Sequence, residues 1–239
     1  MTKIPTQLDP TIEAMYKAIE AKQSREKRDY LGASLIGNPC PRQIWYQYNG
    51  FPQKPFKAET LMNFDDGHRT EDLTAERLRM VDGIELRTHM DDGSQFGFTA
   101  LDGKFKGHAD GFIRGLKQSP KAWHVWEAKC SGEKKWKEFK SLKAKHGEKN
   151  TLKHWNENYY AQAQLYMHYS QMDRHYLTVA YAGGRMYDSC RTEYNGAIAE
   201  RYIDRADKII KTNQPPEKIS DKADFYICRW CDFREACHG

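Results

Sequence analysis

The chain has 239 residues and a formal net charge of +5, with 39% hydrophobic and 30% charged residues. This length supports one substantial hydrophobic core, so we expect a single domain over residues 1–239. No stretch approaches membrane-spanning length, and residues 1–10 lack the apolar run of a secretory signal. We therefore expect a cytoplasmic location without membrane contact, where six cysteines suggest metal ligation and not a disulfide framework.

Predicted helices and strands alternate along the chain in the manner of an α/β fold. Helices are predicted over residues 10–28, 41–50, 61–80, 154–171 and 196–212. Strands are predicted over residues 83–89, 94–101, 104–114, 122–130, 175–182 and 185–194. A lysine-rich segment over residues 133–153 reads as a connector between them. We expect a mixed central sheet flanked by helices.

Two neighbouring strands carry acidic side chains that can meet. Glu127 and Lys129 share one face of the strand over residues 122–130, because side chains alternate along a strand. If that strand forms a hairpin with residues 104–114, Asp110 converges with Glu127. Two carboxylates suit Mg²⁺ or Mn²⁺. Taken alone, a turn aspartate and a solvated Glu–Lys pair are the commoner explanation.

The helix over residues 61–80 contributes a third carboxylate. Glu71 lies on the apolar stripe that is formed by Phe64, His68, Ala75 and Leu78. A buried carboxylate is costly unless it is paired, neutralised or bound to a cation. Alternatively, Glu71 is a salt-bridged glutamate, and the buried face of the helix is offset by one residue from the stripe described here. We interpret His68, on the same stripe, as a hydrogen-bonded core histidine in preference to a metal ligand.

Gln162 and Tyr166 project from one face of a later helix, at i and i+4. An amide and a phenol at this spacing suit holding a phosphate or a lysine. Ordinary polar residues of an aromatic-rich helix would give the same pattern.

Taken in chain order, these residues resemble a known family. The segments Gly67-x3-Glu71, Gly107-His-Ala-Asp110, Glu127-Ala-Lys129 and Gln162-x3-Tyr166 are similar to the motifs of PD-(D/E)XK nucleases. The narrower resemblance is to the RecB-like branch, which includes CRISPR-adaptation nucleases and many bacteriophage exonucleases. In this branch the first motif often ends in histidine, whereas Glu71 holds that position here. The number of catalytic metal ions, one or two, therefore stays open.

The resemblance implies a role for each motif residue. Glu71, Asp110 and Glu127 would bind Mg²⁺ or Mn²⁺, and Lys129 would orient or deprotonate the attacking water. Gln162 and Tyr166 would complete the catalytic site. A divalent ion disfavours the ammonium form of a neighbouring lysine, which moves the amine toward use as a base.

One cysteine near the start and three near the end form a separate pattern: Cys40, then Cys228-x2-Cys231-x5-Cys237. Thiolates of this number suit Zn²⁺ or an iron–sulfur cluster. The one-plus-three spacing resembles the 4Fe-4S segments of the same RecB-like branch, which favours the cluster and leaves Zn²⁺ as the alternative. The cluster would join residues 30–50 to residues 225–239, and we call these two segments the cysteine clasp.

Further expectations concern residues near the clasp and the remaining cysteines. Trp230 and Phe233 are available to pack against it, and His238 is a less favoured ligand. Cys130 and Cys190 are expected to be small buried apolar residues.

The lysine-rich segment leaves directly from the strand that carries Glu127 and Lys129. Such a run is usually a solvated, flexible surface. Its position instead suggests that lysines neutralise DNA phosphates and that an aromatic ring stacks on bases. The predicted nucleic-acid-binding residues are Lys134, Lys135, Trp136, Lys137, Lys140, Lys143 and Lys145.

The family resemblance implies a metal-dependent DNA exonuclease, a phosphodiester hydrolase of phage recombination or DNA processing that uses water as nucleophile. A phage-encoded chain would act in the host-cell cytoplasm. A structure-specific or flap endonuclease and a CRISPR-adaptation end trimmer are alternatives with the same site. A non-catalytic zinc- or cluster-bearing nucleic-acid-binding protein is an alternative of another class. The sequence leaves open the digestion polarity, the strand preference and the processivity. It also leaves open whether the protein forms a homo-oligomer or binds a recombination partner protein.

Overall fold

The computed structural model describes residues 9–23 and 28–239. The helices are α1 Pro10–Ala21, α2 Pro41–Tyr48, α3 Ala58–Arg79, α4 Glu133–His146, α5 Thr151–Trp155, α6 Glu157–Ser170, α7 Gly196–Lys211 and α8 Arg234–His238. The strands are β1 Leu31–Gly32, β2 Glu85–Arg87, β3 Gly97–Ala100, β4 Phe105–His108, β5 Gly111–Arg114, β6 His124–Ser131, β7 Arg174–Tyr181 and β8 Tyr187–Glu193. None of the helices in these described ranges combines the length and apolar character that crossing a bilayer requires.

The strands form two mixed sheets. The larger sheet has the order β2-β5-β6-β7-β8, in which β6 and β7 are parallel and the other pairs antiparallel. The smaller sheet has the order β1-β4-β3. A parallel pair needs a long crossover, and here α4, α5 and α6 form it between β6 and β7. The predicted mixed α/β class with flanking helices is confirmed.

Helices cover both faces of the larger sheet. The face that carries Trp126 packs against α3, around Ala75. The opposite face, which carries Leu177 and Val179, packs against α4, α5 and α6. Glu127 and Lys129 belong to this second face because they alternate with Trp126 along β6.

The predicted strand over residues 104–114 divides into β4 and β5, which belong to different sheets. The break follows a backbone hydrogen bond in which Ala109 N donates to Phe96 O at 2.9 Å. Asp110 therefore lies between the two strands. Because Gly111 of β5 is paired with Trp126 of β6, the preceding residue Asp110 is carried toward Glu127, as the predicted hairpin requires.

The lysine-rich segment, predicted as a connector between elements, is mostly helical, so that prediction is wrong. Residues 133–146 form α4, and Trp136 and Phe139 make up its buried side. Their i, i+3 spacing places both rings on one helix face, against Trp155 of α5. The apolar anchors fix the helix, while the lysines cover its outer side.

The predicted apolar stripe of α3 is buried only in its second half. Thr70, Thr74 and Ala75 are buried, whereas Phe64 is 47% exposed. His68 is exposed, so its interpretation as a core histidine is wrong. The first half of α3 extends beyond the sheet that covers its second half.

His175 of β7 gives the native state a specific sensitivity to acid. Its side chain is 1% exposed, and its Nδ1 has no hydrogen-bond partner among the described residues. Burial, and next the positive charge of Lys129, lower the pKa of His175 to about 3 from the ordinary 6.5. The native imidazole therefore stays neutral at pH values where an unfolded histidine is charged.

We predict that acidification removes stability through this residue. The contribution is fully present above about pH 6.5 and is lost as the pH falls toward about 3, because the unfolded chain takes up the proton. At about pH 5 the loss is about 2 kcal/mol. Urea unfolding at about pH 7 and 5 should show a smaller pH dependence for His175→Gln than for the wild type. Equal pH dependence in the two proteins would contradict the prediction.

Candidate active site

Asp110, Glu127 and Lys129 meet at the junction of β5 and β6. Lys129 Nζ donates to Glu127 Oε1 at 2.5 Å and lies 3.7 Å from Asp110 Oδ2. The same Asp110 oxygen accepts a hydrogen bond from Ala128 N at 2.8 Å. Glu127 is only 3% exposed. The hairpin pairing and the strand alternation thus bring together the groups that the sequence pattern singled out.

Glu71 joins these residues from α3, which packs against β6. Its side chain is half-buried. Burial, and then the negative charge of Asp110, raise the pKa of Glu71. Burial and Asp110 likewise raise the pKa of Glu127, with a smaller contribution from Glu71. The carboxylates are therefore close enough to oppose each other's ionisation.

The state of Lys129 follows from the same charges. Burial alone would lower the pKa of Lys129, but Glu127 and Asp110 outweigh it, so the pKa is raised. Lys129 is accordingly an ammonium ion paired with carboxylates. The neutral amine that the sequence led us to expect would require a divalent cation at these carboxylates, because the positive charge of the cation disfavours the ammonium form.

Glu127 Oε2 is a buried carboxylate oxygen without a hydrogen-bond partner in the described part of the chain. An unpaired buried oxygen of this kind is costly, and a hard divalent cation satisfies it. Asp110 and Glu71 supply further oxygens nearby, so the donor set fits Mg²⁺ or Mn²⁺. Within residues 9–23 and 28–239, no group of three or more His, Cys, Asp or Glu side chains already has the arrangement of a metal centre.

Gln162 and Tyr166 lie on α6, beside the carboxylates. Gln162 Nε2 donates to the Tyr166 hydroxyl at 2.7 Å. Burial, and next the charge of Glu127, raise the pKa of Tyr166. Gly107 permits this approach, because a Cβ there would lie 2.7 Å from the Tyr166 ring. The structure therefore brings the last sequence motif to the same place.

The sequence motifs did not single out Tyr159. Its ring centroid lies 5.4 Å from Lys129 Nζ. Residues 159, 162 and 166 share one helix face by their i, i+3, i+7 spacing. That spacing is the signal that could have identified Tyr159 as a neighbour of the site.

The predicted DNA-binding lysines are on α4, where acidic side chains already pair with most of them. Ion pairs join Lys135 to Glu138, Lys137 to Glu133, and both Lys140 and Lys143 to Asp188. No ion pair is formed by Lys134 or Lys145 with the residues that the structure describes. Trp136 is only 9% exposed and packs edge-on against Tyr181. Its ring cannot stack on a base, which corrects the expectation for this residue.

The cysteine clasp brings residues near Cys40 together with the C-terminal segment. Its cysteines line one pocket: Cys40, Cys228, Cys231 and Cys237. The Tyr46 hydroxyl donates to Ala236 O at 3.1 Å, and the Tyr46 ring lies 5.5 Å from the Phe233 ring. Phe233 is buried as expected, whereas Trp230 is 84% exposed and does not pack, contrary to expectation.

Unpaired donors around this pocket fit a thiolate-bound metal group. Arg42 Nε and His238 Nε2 are buried and lack partners among the described residues, and both residues line the cysteine pocket. Nitrogen donors beside thiolates commonly supply the outer hydrogen bonds of a metal centre. The pKa of Cys228 is raised by burial and then by Cys40, which places these two thiols near each other.

The other cysteines lie outside the clasp. Cys190 is fully buried, as predicted for a small apolar residue. Cys130 is only partly buried, so the prediction is too strong for it.

No protein-family model matches the chain, and no curated protein matches it. Among solved structures, the alkaline exonuclease LHK-Exo from Laribacter hongkongensis is similar, with a TM-score of 0.52 and 13% identity over 83% of this chain and 90% of that chain. Its complex with dAMP has the same TM-score, 0.52, and 13% identity over 81% of this chain and 90% of that chain. A phage related exonuclease from Haemophilus somnus 129PT has a TM-score of 0.51 and 12% identity over 75% of this chain and 91% of that chain. The chain therefore has a fold like that of these exonucleases.

Proposed function

We propose that the protein is a divalent-metal-dependent DNA exonuclease that hydrolyses phosphodiester bonds at DNA ends. The observation that carries the proposal is the convergence of Glu71, Asp110 and Glu127 beside Lys129, with one buried Glu127 oxygen lacking a partner. The likeness of the fold to exonucleases supports it, as does the order of the sequence motifs.

The proposed mechanism assigns each side chain a simple task. Bound Mg²⁺ or Mn²⁺ would supply an activated water and neutralise the phosphoryl oxygens. Glu71, Asp110 and Glu127 would hold the ion, and Lys129 would orient the water by hydrogen bonding. Attack of the water oxygen on phosphorus breaks one P–O ester bond and leaves a phosphate end and a hydroxyl end. Gln162 and Tyr166 support Glu127 and Lys129 from α6.

The outer surface of α4 is the proposed DNA-binding surface. The helix begins directly after β6, so its lysines lie near the strand that carries Glu127. Lysines that pair with the exposed glutamates of α4 can exchange those partners for phosphates, since surface ion pairs are weak. The pairs of Lys140 and Lys143 with Asp188 are more sheltered, because the Asp188 side chain is only 12% exposed. The DNA affinity conferred by such contacts decreases as salt increases.

We predict that Glu127→Gln lowers the cleavage rate by at least about 100-fold while DNA binding is retained. The amide removes the negative charge that a cation and Lys129 both need, and it keeps the size of the side chain. The measurement is digestion of linear DNA labelled at the 5′ or 3′ end, with Mg²⁺ or Mn²⁺, together with binding of the same DNA. Glu76→Gln, an exposed change on α3, is the matched control and should cleave normally.

Several outcomes separate the alternatives. Cleavage by Glu127→Gln at the wild-type rate would refute the assigned site. Cleavage of covalently closed DNA would favour a structure-specific or flap endonuclease over an exonuclease. A wild-type protein that binds DNA and cleaves none of these substrates with either metal would favour the non-catalytic binding protein.

We also propose that Cys40, Cys228, Cys231 and Cys237 bind a 4Fe-4S cluster with a structural role. The shared pocket and its unpaired nitrogen donors support a thiolate-bound group, and the one-plus-three spacing favours the cluster over Zn²⁺. Bridging segments far apart in the chain would stabilise the fold by restricting the unfolded state.

We predict that the protein purified without oxygen is brown, with broad absorbance near about 400 nm from iron–thiolate ligation. Cys237→Ser should lose this absorbance and the bound iron. Cys190→Ala, a change in the core away from the clasp, should keep both. A colourless protein containing stoichiometric zinc would contradict the iron assignment.

A further inference from the structure

The ammonium group of Lys129 is enclosed on several sides. It donates to Glu127 Oε1 at 2.5 Å and to Ala128 O at 3.0 Å, and Asp110 Oδ2 lies 3.7 Å away. A lysine ammonium has three donors, and these two hydrogen bonds use two of them, so the third is available to a water in the site. The ring of Tyr159 covers a further side, with its centroid 5.4 Å from Nζ. This distance is within the range of a cation–π contact.

The position of Tyr159 is itself fixed by its neighbours. Asn156 caps α6, and its side chain accepts a hydrogen bond from Tyr159 N at 3.1 Å. The ring of Trp155 lies 5.7 Å from the Tyr159 ring. The N-terminal cap thus holds the backbone, and a buried tryptophan supports the ring that approaches Lys129.

A lysine side chain needs such support if its amine is to stay in one place. Its stem is long and flexible, and its ammonium is strongly hydrated, so water competes for it. The side chain of Lys129 is 20% exposed, so part of it remains in contact with solvent. An aromatic ring over the amine restricts that access without competing for the carboxylates.

We propose that Tyr159 is a positioning residue that holds the amine of Lys129 over Glu127 and Asp110 through the face of its ring. Its role in catalysis rests on the proposed nuclease function, in which Lys129 orients the attacking water. The ring, and not the hydroxyl, performs the task. Phenylalanine at this position therefore substitutes for tyrosine, and an aliphatic side chain does not.

The first test compares Tyr159→Leu and Tyr159→Phe with the wild type in steady-state cleavage of end-labelled linear DNA. Tyr159→Leu should lower kcat about tenfold, with the KM for DNA unchanged. Tyr159→Phe should retain the wild-type kcat. A wild-type kcat in Tyr159→Leu, or an equal loss in Tyr159→Phe, would overturn the proposal.

The matched control is Tyr160→Leu. Tyr160 is the next residue and packs against the same cluster of apolar side chains as Tyr159. The two leucine variants should lose similar stability, but Tyr160→Leu should keep its kcat. If Tyr160→Leu loses as much kcat as Tyr159→Leu, the effect is loss of packing and the positioning role is wrong.

A second readout does not depend on cleavage. Reaction of Lys129 with an N-hydroxysuccinimide ester, followed by mass spectrometry, reports how accessible its amine is and how readily it loses its proton, because only the neutral amine is acylated. Labelling should be several times faster in Tyr159→Leu than in the wild type, Tyr159→Phe or Tyr160→Leu. Equal labelling in all four proteins would overturn the proposal. A wild-type protein that cleaves no DNA would refute the proposed function, whereas the labelling rates would still decide the role of Tyr159.

Discussion

The desolvation and mutual repulsion of three neighbouring carboxylates, one buried and two partly buried, form the constraint around which the site is built. Burial, and next the negative charge of Asp110, raise the pKa of both Glu71 and Glu127, because charges that are partly removed from water interact strongly. A fold that needed only stability would separate these groups or replace them with apolar side chains. Here they are held together, and Lys129 pairs with Glu127 and Asp110. Such a concentration of unfavourable ionisation is typical of a functional site.

The architecture explains how distant segments reach that point. The antiparallel pairing of β5 with β6 brings Asp110 toward Glu127, and the packing of α3 against β6 brings Glu71. The parallel pairing of β6 with β7 requires a long crossover, which supplies α6 and its motif residues. Each element is held by apolar contacts of its own, so the carboxylates need not attract one another to meet.

The loop before Cys40 of the cysteine clasp contacts α6, the helix that carries Gln162 and Tyr166. Arg205 of α7 donates to Ile36 O at 3.0 Å and to Asn38 O, which fixes the loop before Cys40. In that loop Gly37 lies against α6, where a Cβ would be 2.6 Å from Asn158 Cα. The clasp loop therefore supports the first turn of α6, next to Tyr159.

Local patterns were sufficient for part of this structure. Strand alternation and a hairpin predicted that Asp110 meets Glu127, because both rules act between near neighbours in sequence. The division between β4 and β5 could not be predicted, since it depends on a hydrogen bond from Ala109 N to Phe96 O, just before β3. The burial of Trp136 was signalled only by its i, i+3 spacing with Phe139, within a segment whose many lysines indicate an exposed surface.

The most direct measurement is anomalous diffraction from crystals of the protein soaked with Mn²⁺. Our account predicts a manganese peak at about 2.0–2.3 Å from carboxylate oxygens of Glu71, Asp110 and Glu127, with Lys129 alongside. A manganese ion bound elsewhere, or saturating Mn²⁺ that leaves these three carboxylates without a shared ion, would contradict it.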